Sequence, residues 1–372
     1  MNFIEEYKKG QSGGNKGLYM GDGLQHVSST LNGLQQGRLY GIASSPKVGK
    51  STIVNYGFVV QPYLYALKHN ISIEWIYYSL EMDRISQEFD FAAHFLYADY
   101  GVRYIEIEGL TKDGKNIIEI SSKYLRGRLQ DDKGKIIKVS KKVEDALKKV
   151  YQNRIIPLFG EYSVEGELLK KGMITFIQNS DNPTGIFKYL LNHASHNGTL
   201  IKTGQKGFER ITSYKPNNPK KFTIVITDHL RKLIPERGWL MKQTVDKTLE
   251  YHVILRNLLN YTFVDIIHLN RSMTNLERFK QFGDLLFPDS DMVKDSGNIA
   301  EDCDYLFTLF NPNDERYNLN KHFNLEIKDS AKNILYPELR TIHLVESRHC
   351  EFPQHFRVNM QGAIKNFELF NN

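Results

Sequence analysis

The sequence predicts an α/β fold: a mainly parallel central sheet flanked by helices, with an antiparallel extension at the C-terminal end. Three observations predict it. Apolar, strand-like runs alternate with helical segments through the middle of the chain, the pattern of strand–helix–strand units. The segment ASSPKVGKST stands between an apolar run and a helical one, as a phosphate loop does. Late in the chain YLFTLF, RTIHLVES, HFRVNM and KNFELF follow as strand-like runs, the last of them joined by short links.

Composition bounds the rest. A chain of 372 residues is long enough for two domains or for one enlarged α/β domain. With 41% hydrophobic and 25% charged residues it is ordinary for a soluble globular protein. No apolar run reaches the length that crosses a bilayer, and MNFIEEYKKGQ carries acids where a secretory signal would be apolar. Cys303 and Cys350 provide neither a metal-site spacing nor a disulfide framework, which fits a reducing, cytoplasmic interior. The net charge of +6 suits an anionic partner without demanding one.

The elements follow in order. Residues 1–37 are rich in Gly, Asn and Gln: a flexible arm over 1–16, then a lead-in segment, GLQHVSSTLNGLQQG. RLYGIA reads as the first buried strand, and STIVNYGFVVQPYLYALKH as the helix after the loop. IEWIYYS is a second buried strand, and EMDRISQEFDFAAHFLYA looks helical. Residues 108–182 are irregular, with the turn signals KDGK and DDKGK and many lysines up to Lys149. They are expected to form a variable insertion whose lysines are a solvated surface, with a second DNA or partner surface over 112–149 as the other reading. PTGIFKYLLNHASHNG reads as a helix ending at Gly198. FTIVITD and FVDIIHLN are further buried strands, and the helix between them is expected to put Val245, Leu249 and Val253 on one face.

The loop carries the chemistry. A phosphate loop needs a small residue, four spacers and then Gly-Lys-Ser/Thr. Here those are Ser44, Ser45, Pro46, Lys47, Val48, Gly49, Lys50 and Ser51, followed by Thr52. Backbone N–H groups turn inward to hold phosphate oxygens, and the next helix presents its positive end. Gly49 permits close approach, Lys50 neutralises the outer phosphates, and the Ser51 hydroxyl reaches Mg²⁺. Ser44 replaces the usual first Gly. The expected ligands are therefore ATP and Mg²⁺.

Two acids end apolar strands. Asp228 closes FTIVITD, where an acid that supports Mg²⁺ belongs in an open α/β sheet. Glu81 follows IEWIYYSL and would emerge at the same edge, where a carboxylate orients or activates the attacking water.

Together these motifs resemble, in order, the RecA-like ATPase domain of DnaB-type replicative hexameric helicases. ASSPKVGKST looks like that family's phosphate loop and SLEM matches its catalytic-glutamate motif, at Glu81. TIVITDHL looks like its second acidic motif, at Asp228; IIHLNRS looks like its sensor strand, with His268 at the γ-phosphate sensor position. DSGNIAEDCDYLF resembles its second DNA-binding loop, and LVESRH lies where the family carries Lys-x-Arg with an arginine finger, here Arg348. The resemblance runs from about residue 17 to residue 372 and is weakest over 101–222.

It implies an ATP-hydrolysing helicase that moves on single-stranded DNA during replication, in a bacterial or phage-infected cell. It further implies a homo-hexamer, and a primase or loader as partner. DNA would be held at Lys294, Ser296, Gly297 and Asn298, mainly through its phosphates. Two departures stand out. Glu346 occupies the place of the family's Lys, and the family's N-terminal primase-contacting domain has no counterpart ahead of residue 17. Other readings stay open: a different RecA-class ATPase, such as a strand-exchange filament protein or a helicase loader, or a nucleotide-gated scaffold with little turnover.

Overall fold

A computed structural model of the chain describes residues 4, 7, 8, 11, 16–107, 110–111, 113–205, 209–269, 281–296 and 299–371, with 294–296 as backbone only. Most of the predicted arm and the NRS part of the sensor motif lie outside these residues.

Among the described residues, the strands predicted from apolar runs belong to one nine-stranded sheet. In chain order its strands are β1 (Leu39–Ser44), β2 (Ile73–Ser79), β3 (Ile174–Ile177), β4 (Phe222–Asp228), β5 (Thr262–His268), β6 (Tyr305–Phe310), β7 (Leu339–Ser347), β8 (Gln354–Gln361) and β9 (Asn366–Leu369). Across the sheet they run β9-β8-β7-β6-β1-β5-β4-β2-β3. The stretch from β6 to β3 is parallel, while β7, β8 and β9 are antiparallel. The predicted extension is therefore present. So is a strand that was not foreseen, because β3 comes from within 108–182 and pairs with β2 at the sheet's edge.

Helices cover both faces, so the central strands are buried throughout and read as apolar runs instead of alternating patterns. The alternation sorts side chains between two cores. Trp75, Tyr77, Ile224 and Ile226 join one with Val54, Phe58, Phe91 and Phe95. Ile76, Tyr78, Val225 and Phe263 join the other with Leu190, Leu249 and Leu255.

The main helices are α1 (Gln25–Leu31), α2 (Lys50–Val54), α3 (Gln61–His69), α4 (Arg84–Tyr100), α5 (Lys141–Val150), α6 (Pro183–Asn197) and α7 (Met241–Leu259). A π-helical turn, Asn55–Val60, joins α2 to α3. Helix α4 begins three residues later than EMD suggested, because the Asp83 side chain takes the N-cap and accepts from Ser86 N at 2.8 Å. Glu81 is thus left in the preceding turn. On α7 the buried stripe passes through Val245, Leu249 and His252, and Val253 lies only partly covered beside it. The α5 lysines 141, 142, 148 and 149 are exposed, as predicted for a solvated face.

Candidate active site

Strand register assembles the site. Ser44 at the end of β1 lies opposite His268 at the end of β5, and Asp228 at the end of β4 lies opposite Ser79. All four stand at the C-terminal edge of the parallel strands, where ligands bind in open α/β sheets. The phosphate loop and Glu81 join them there, lining a cleft of about 490 Å³ with Pro46, Lys47, Gly49, Lys50, Ser51, Thr52, Asp228 and His268.

The loop takes its shape from a few residues. Lys47 (φ 64°) and Gly49 (φ 118°) are left-handed, and α2 starts at Lys50. The positive φ of Gly49 demands glycine; a Cβ there would also meet Met360 Sδ at 2.3 Å, a contact that the flexible Met360 side chain could yield. Lys50 folds back on the loop, donating to Ser44 O at 3.1 Å, Ser45 O at 3.2 Å and Ser44 Oγ at 3.3 Å. Ser51 Oγ donates to Asp228 Oδ2 at 2.8 Å.

The electrostatics fit a cleft built around a ligand's charge. Burial pulls the Lys50 ammonium down to about 8 against the attraction of Asp228 and Glu81. Burial likewise pushes Asp228 up to about 6, with Ser51 and Lys50 opposing and Glu81 adding to the rise. His268 is lowered to about 4 by burial, by Lys50 and by His229, so at neutral pH it is an uncharged hydrogen-bonding group.

Three features escaped sequence reasoning. His229, the residue after Asp228, places Nε2 3.0 Å from Glu81 Oε1 and packs against the His268 ring at 4.2 Å; the Asp228–His229 peptide is cis. The signal was the polar His in TDHL. Behind the loop helix, Asn55 bonds Gln87 at 2.8 Å and Tyr77 at 3.1 Å. Finally, the turn between β8 and β9 brings Met360, Gly362 and Lys365 over the phosphate loop, with Lys365 Nζ 3.5 Å from Asp90 Oδ2. No local motif marks that approach.

Arg348 lies elsewhere. Ser347 pairs with Tyr305 at the start of β6, so Arg348 stands at the opposite edge of the sheet from Lys50. Its N donates to Asp304 O at 3.0 Å and its guanidinium to Glu301 O. It cannot reach the phosphate loop of its own chain. Glu346 lies on β7, opposite Leu306. Of the predicted DNA-contacting residues, Lys294 and Ser296 fall in the 3₁₀ segment Ser290–Ser296, while Gly297 and Asn298 lie outside the described residues.

The metal-ligand chemistry is consistent with the sequence reading. The Ser51 hydroxyl and the Asp228 carboxylate are hard oxygen donors side by side at the loop, suited to Mg²⁺. No helix among the described residues is long and apolar enough to cross a membrane.

Structural comparison places the fold. The chain matches a solved ATPase domain with a TM-score of 0.58 at 13% identity, over 99% of this chain and 97% of that one. It also matches a DnaB-like replicative helicase, solved in a study of its interactions with primase, with a TM-score of 0.63 at 12% identity. That match covers 99% of this chain and 66% of the helicase. No family model matches the sequence, and the search of curated proteins finds no match. The chain has the RecA-like α/β fold of DnaB-type helicase ATPase domains.

Proposed function

We propose that this chain is an ATP-hydrolysing motor of the replicative ring-helicase kind, driving movement along single-stranded DNA. The observation that carries the reading is the convergence of Lys50, Ser51, Glu81, Asp228 and His268 on one cleft at one sheet edge. In that cleft the loop and Lys50 bind and neutralise the phosphates of ATP. Ser51 and Asp228 would hold Mg²⁺, which supplies charge neutralisation at the phosphate oxygens when bound. Glu81 orients the attacking water and accepts its proton. Neutral His268 hydrogen-bonds the terminal phosphate and reports its presence to β5.

Arg348 supports an assembly. A finger at the far edge of the sheet acts only on a neighbour's nucleotide, and a head-to-tail ring supplies that neighbour. The fold shared with the DnaB-like helicase supports the ring reading, and we extend it here to a homo-hexamer with DNA in its centre and a primase or loader as partner. Glu346, an anion two residues from Arg348, favours a second reading in which nucleotide is bound and turned over slowly as an assembly signal.

One set of measurements separates these. ATP turnover with and without single-stranded DNA, strand displacement on a forked duplex, and particle shape with an ATP analogue are recorded together. DNA-stimulated turnover, strand displacement and six-membered rings are expected. Filaments on DNA would point to a strand-exchange protein, and nucleotide binding without stimulated turnover to the scaffold.

A further inference from the structure

One hydrogen bond in the cleft belongs neither to the phosphate loop nor to the metal-binding pair. His229 is 5% exposed, and its Nε2 lies 3.0 Å from Glu81 Oε1. A carboxylate only accepts, so Nε2 carries the proton and donates it. The imidazole is held firmly: it is buried, it continues directly from the paired end of β4, and the His268 ring packs edge-on against it.

Glu81 is held differently. Its backbone is fixed on both sides. Leu80 N donates to Asp228 O at 2.8 Å, Ser79 Oγ donates to Met82 O at 2.7 Å, and Asp83 caps α4. Its side chain, by contrast, is 43% exposed and has several rotatable bonds. The bond to His229 is what ties that carboxylate to the rigid sheet edge. Glu81 lines the cleft, and His229 reaches it only through its bond to Glu81.

We infer that His229 is a positioning residue: its Nε2–H holds the Glu81 carboxylate facing the phosphate end of the cleft before substrate arrives. The inference rests on the ATPase reading above. The effect is on the chemical step, since His229 acts through Glu81 and not through the loop that binds ATP. A carboxylate displaced by about an ångström loses roughly 10²-fold in rate in such a role.

The test measures kcat and KM for ATP, with binding of a fluorescent ATP analogue, in the wild type, His229→Ala, His229→Gln, Glu81→Gln and the double variant His229→Ala/Glu81→Gln. His229→Ala is expected to lower kcat by about 10- to 100-fold with KM within about twofold of the wild type. His229→Gln, whose amide also donates, recovers most of the loss. The double variant is no slower than Glu81→Gln, because the two residues act as one unit. Turnover of His229→Ala within about twofold of the wild type overturns the inference, as does a full additional loss in the double variant. If His229→Ala does not fold, His229→Leu, which fills the space but cannot donate, takes its place: a loss in His229→Leu that His229→Gln largely avoids supports positioning, and near-normal kcat in both, or a loss in His229→Gln as deep as that of Glu81→Gln, overturns it. A wild type that binds the analogue but never hydrolyses ATP sinks the ATPase reading itself, a result distinct from indifferent His229 variants in an active enzyme.

Discussion

The two edges of the parallel sheet are built on opposite plans. At the C-terminal edge, charges stand poorly matched. Lys50 and Asp228 are both shifted towards their neutral forms by burial, and Thr227 Oγ1, Tyr78 OH and His229 Nδ1 are buried with no hydrogen-bond partner among the described residues. At the N-terminal edge one carboxylate is saturated. Asp304 Oδ2 accepts from Leu39 N at 2.8 Å and from Arg256 Nη1 at 2.7 Å, while Oδ1 accepts from His349 Nε2 at 3.0 Å. The same buried residue anchors the Arg348 backbone. A buried polar group without its partner costs stability, and a complete network fixes one geometry. The first edge thus leaves its central lysine and acid to be matched by a ligand. At the second the Asp304 carboxylate is fully matched and ties down the loop carrying Arg348, although Arg38 Nε beside it is buried without a partner among the described residues.

The sharpest way to break this contrast is at Arg348. Arg348→Ala is expected to bind ATP normally and lose about 10³-fold in turnover if it acts on a neighbour's nucleotide. Mixing it with Lys50→Ala should give partial activity, because mixed rings bring intact Arg348 to intact Lys50 sites. Mixtures no faster than the two variants alone, under subunit exchange, would rule out action in trans.

Stability separates the edges next. Asp304→Ala strips the buried Arg256 of its partner and should cost about 3 kcal/mol or more in urea unfolding. Asp228→Asn should do the reverse and stabilise the nucleotide-free protein, since it removes a charge that burial disfavours. Equal effects of the two substitutions would erase the distinction. At the C-terminal edge, Glu81→Gln should keep ATP bound and slow hydrolysis by roughly 10²-fold, whereas Lys50→Ala weakens binding and turnover together. Normal hydrolysis by Glu81→Gln would remove the assignment at SLEM.

A pH titration tests burial where no ligand is involved. Burial lowers His94 and His322 to about 4. The folded state therefore binds fewer protons than the unfolded one, whose histidines titrate near about 6.5. Stability present above about pH 6.5 should fall as the pH drops towards 4, by on the order of 2 kcal/mol per histidine at pH 5. His94→Phe should flatten that loss in denaturant titrations at several pH values. The smallest effect is expected at Lys294: its replacement by Ala should lower the salt slope of DNA binding by about one unit, equally on all sequences. Unchanged affinity would move the DNA away from 287–298.

The fold was legible where burial imposes a period. β1, β2, β4 and β5 stand out because two-sided burial makes their strands continuously apolar. That ASSPKVGKST, Glu81 and Asp228 would meet at one sheet edge was legible because each ends or directly follows an apolar strand. β3 was not, since a four-residue edge strand within lysine-rich surroundings carries too little pattern. Met360 and Lys365 reach the site through pairing of β8 and β9, and the geometry of a remote hairpin leaves no mark in local sequence. Arg348 was singled out only through the family resemblance, because it stands at the opposite edge of the sheet from the cleft and nothing local in the sequence marks it.

The position of β1 also governs how the chain folds. The strand bearing the phosphate loop is flanked on both sides by partners made far later, β5 and β6, and Leu39 bonds Asp304 across 265 positions of sequence. Closing loops of that length precedes any reward from the contacts they allow, which slows folding. Until Tyr305–Phe310 has been synthesised, β1 lacks one neighbour and its apolar edge stands open to misassociation. The cleft at the end of β1 is accordingly complete only once the chain has been made as far as Lys365, which lines it.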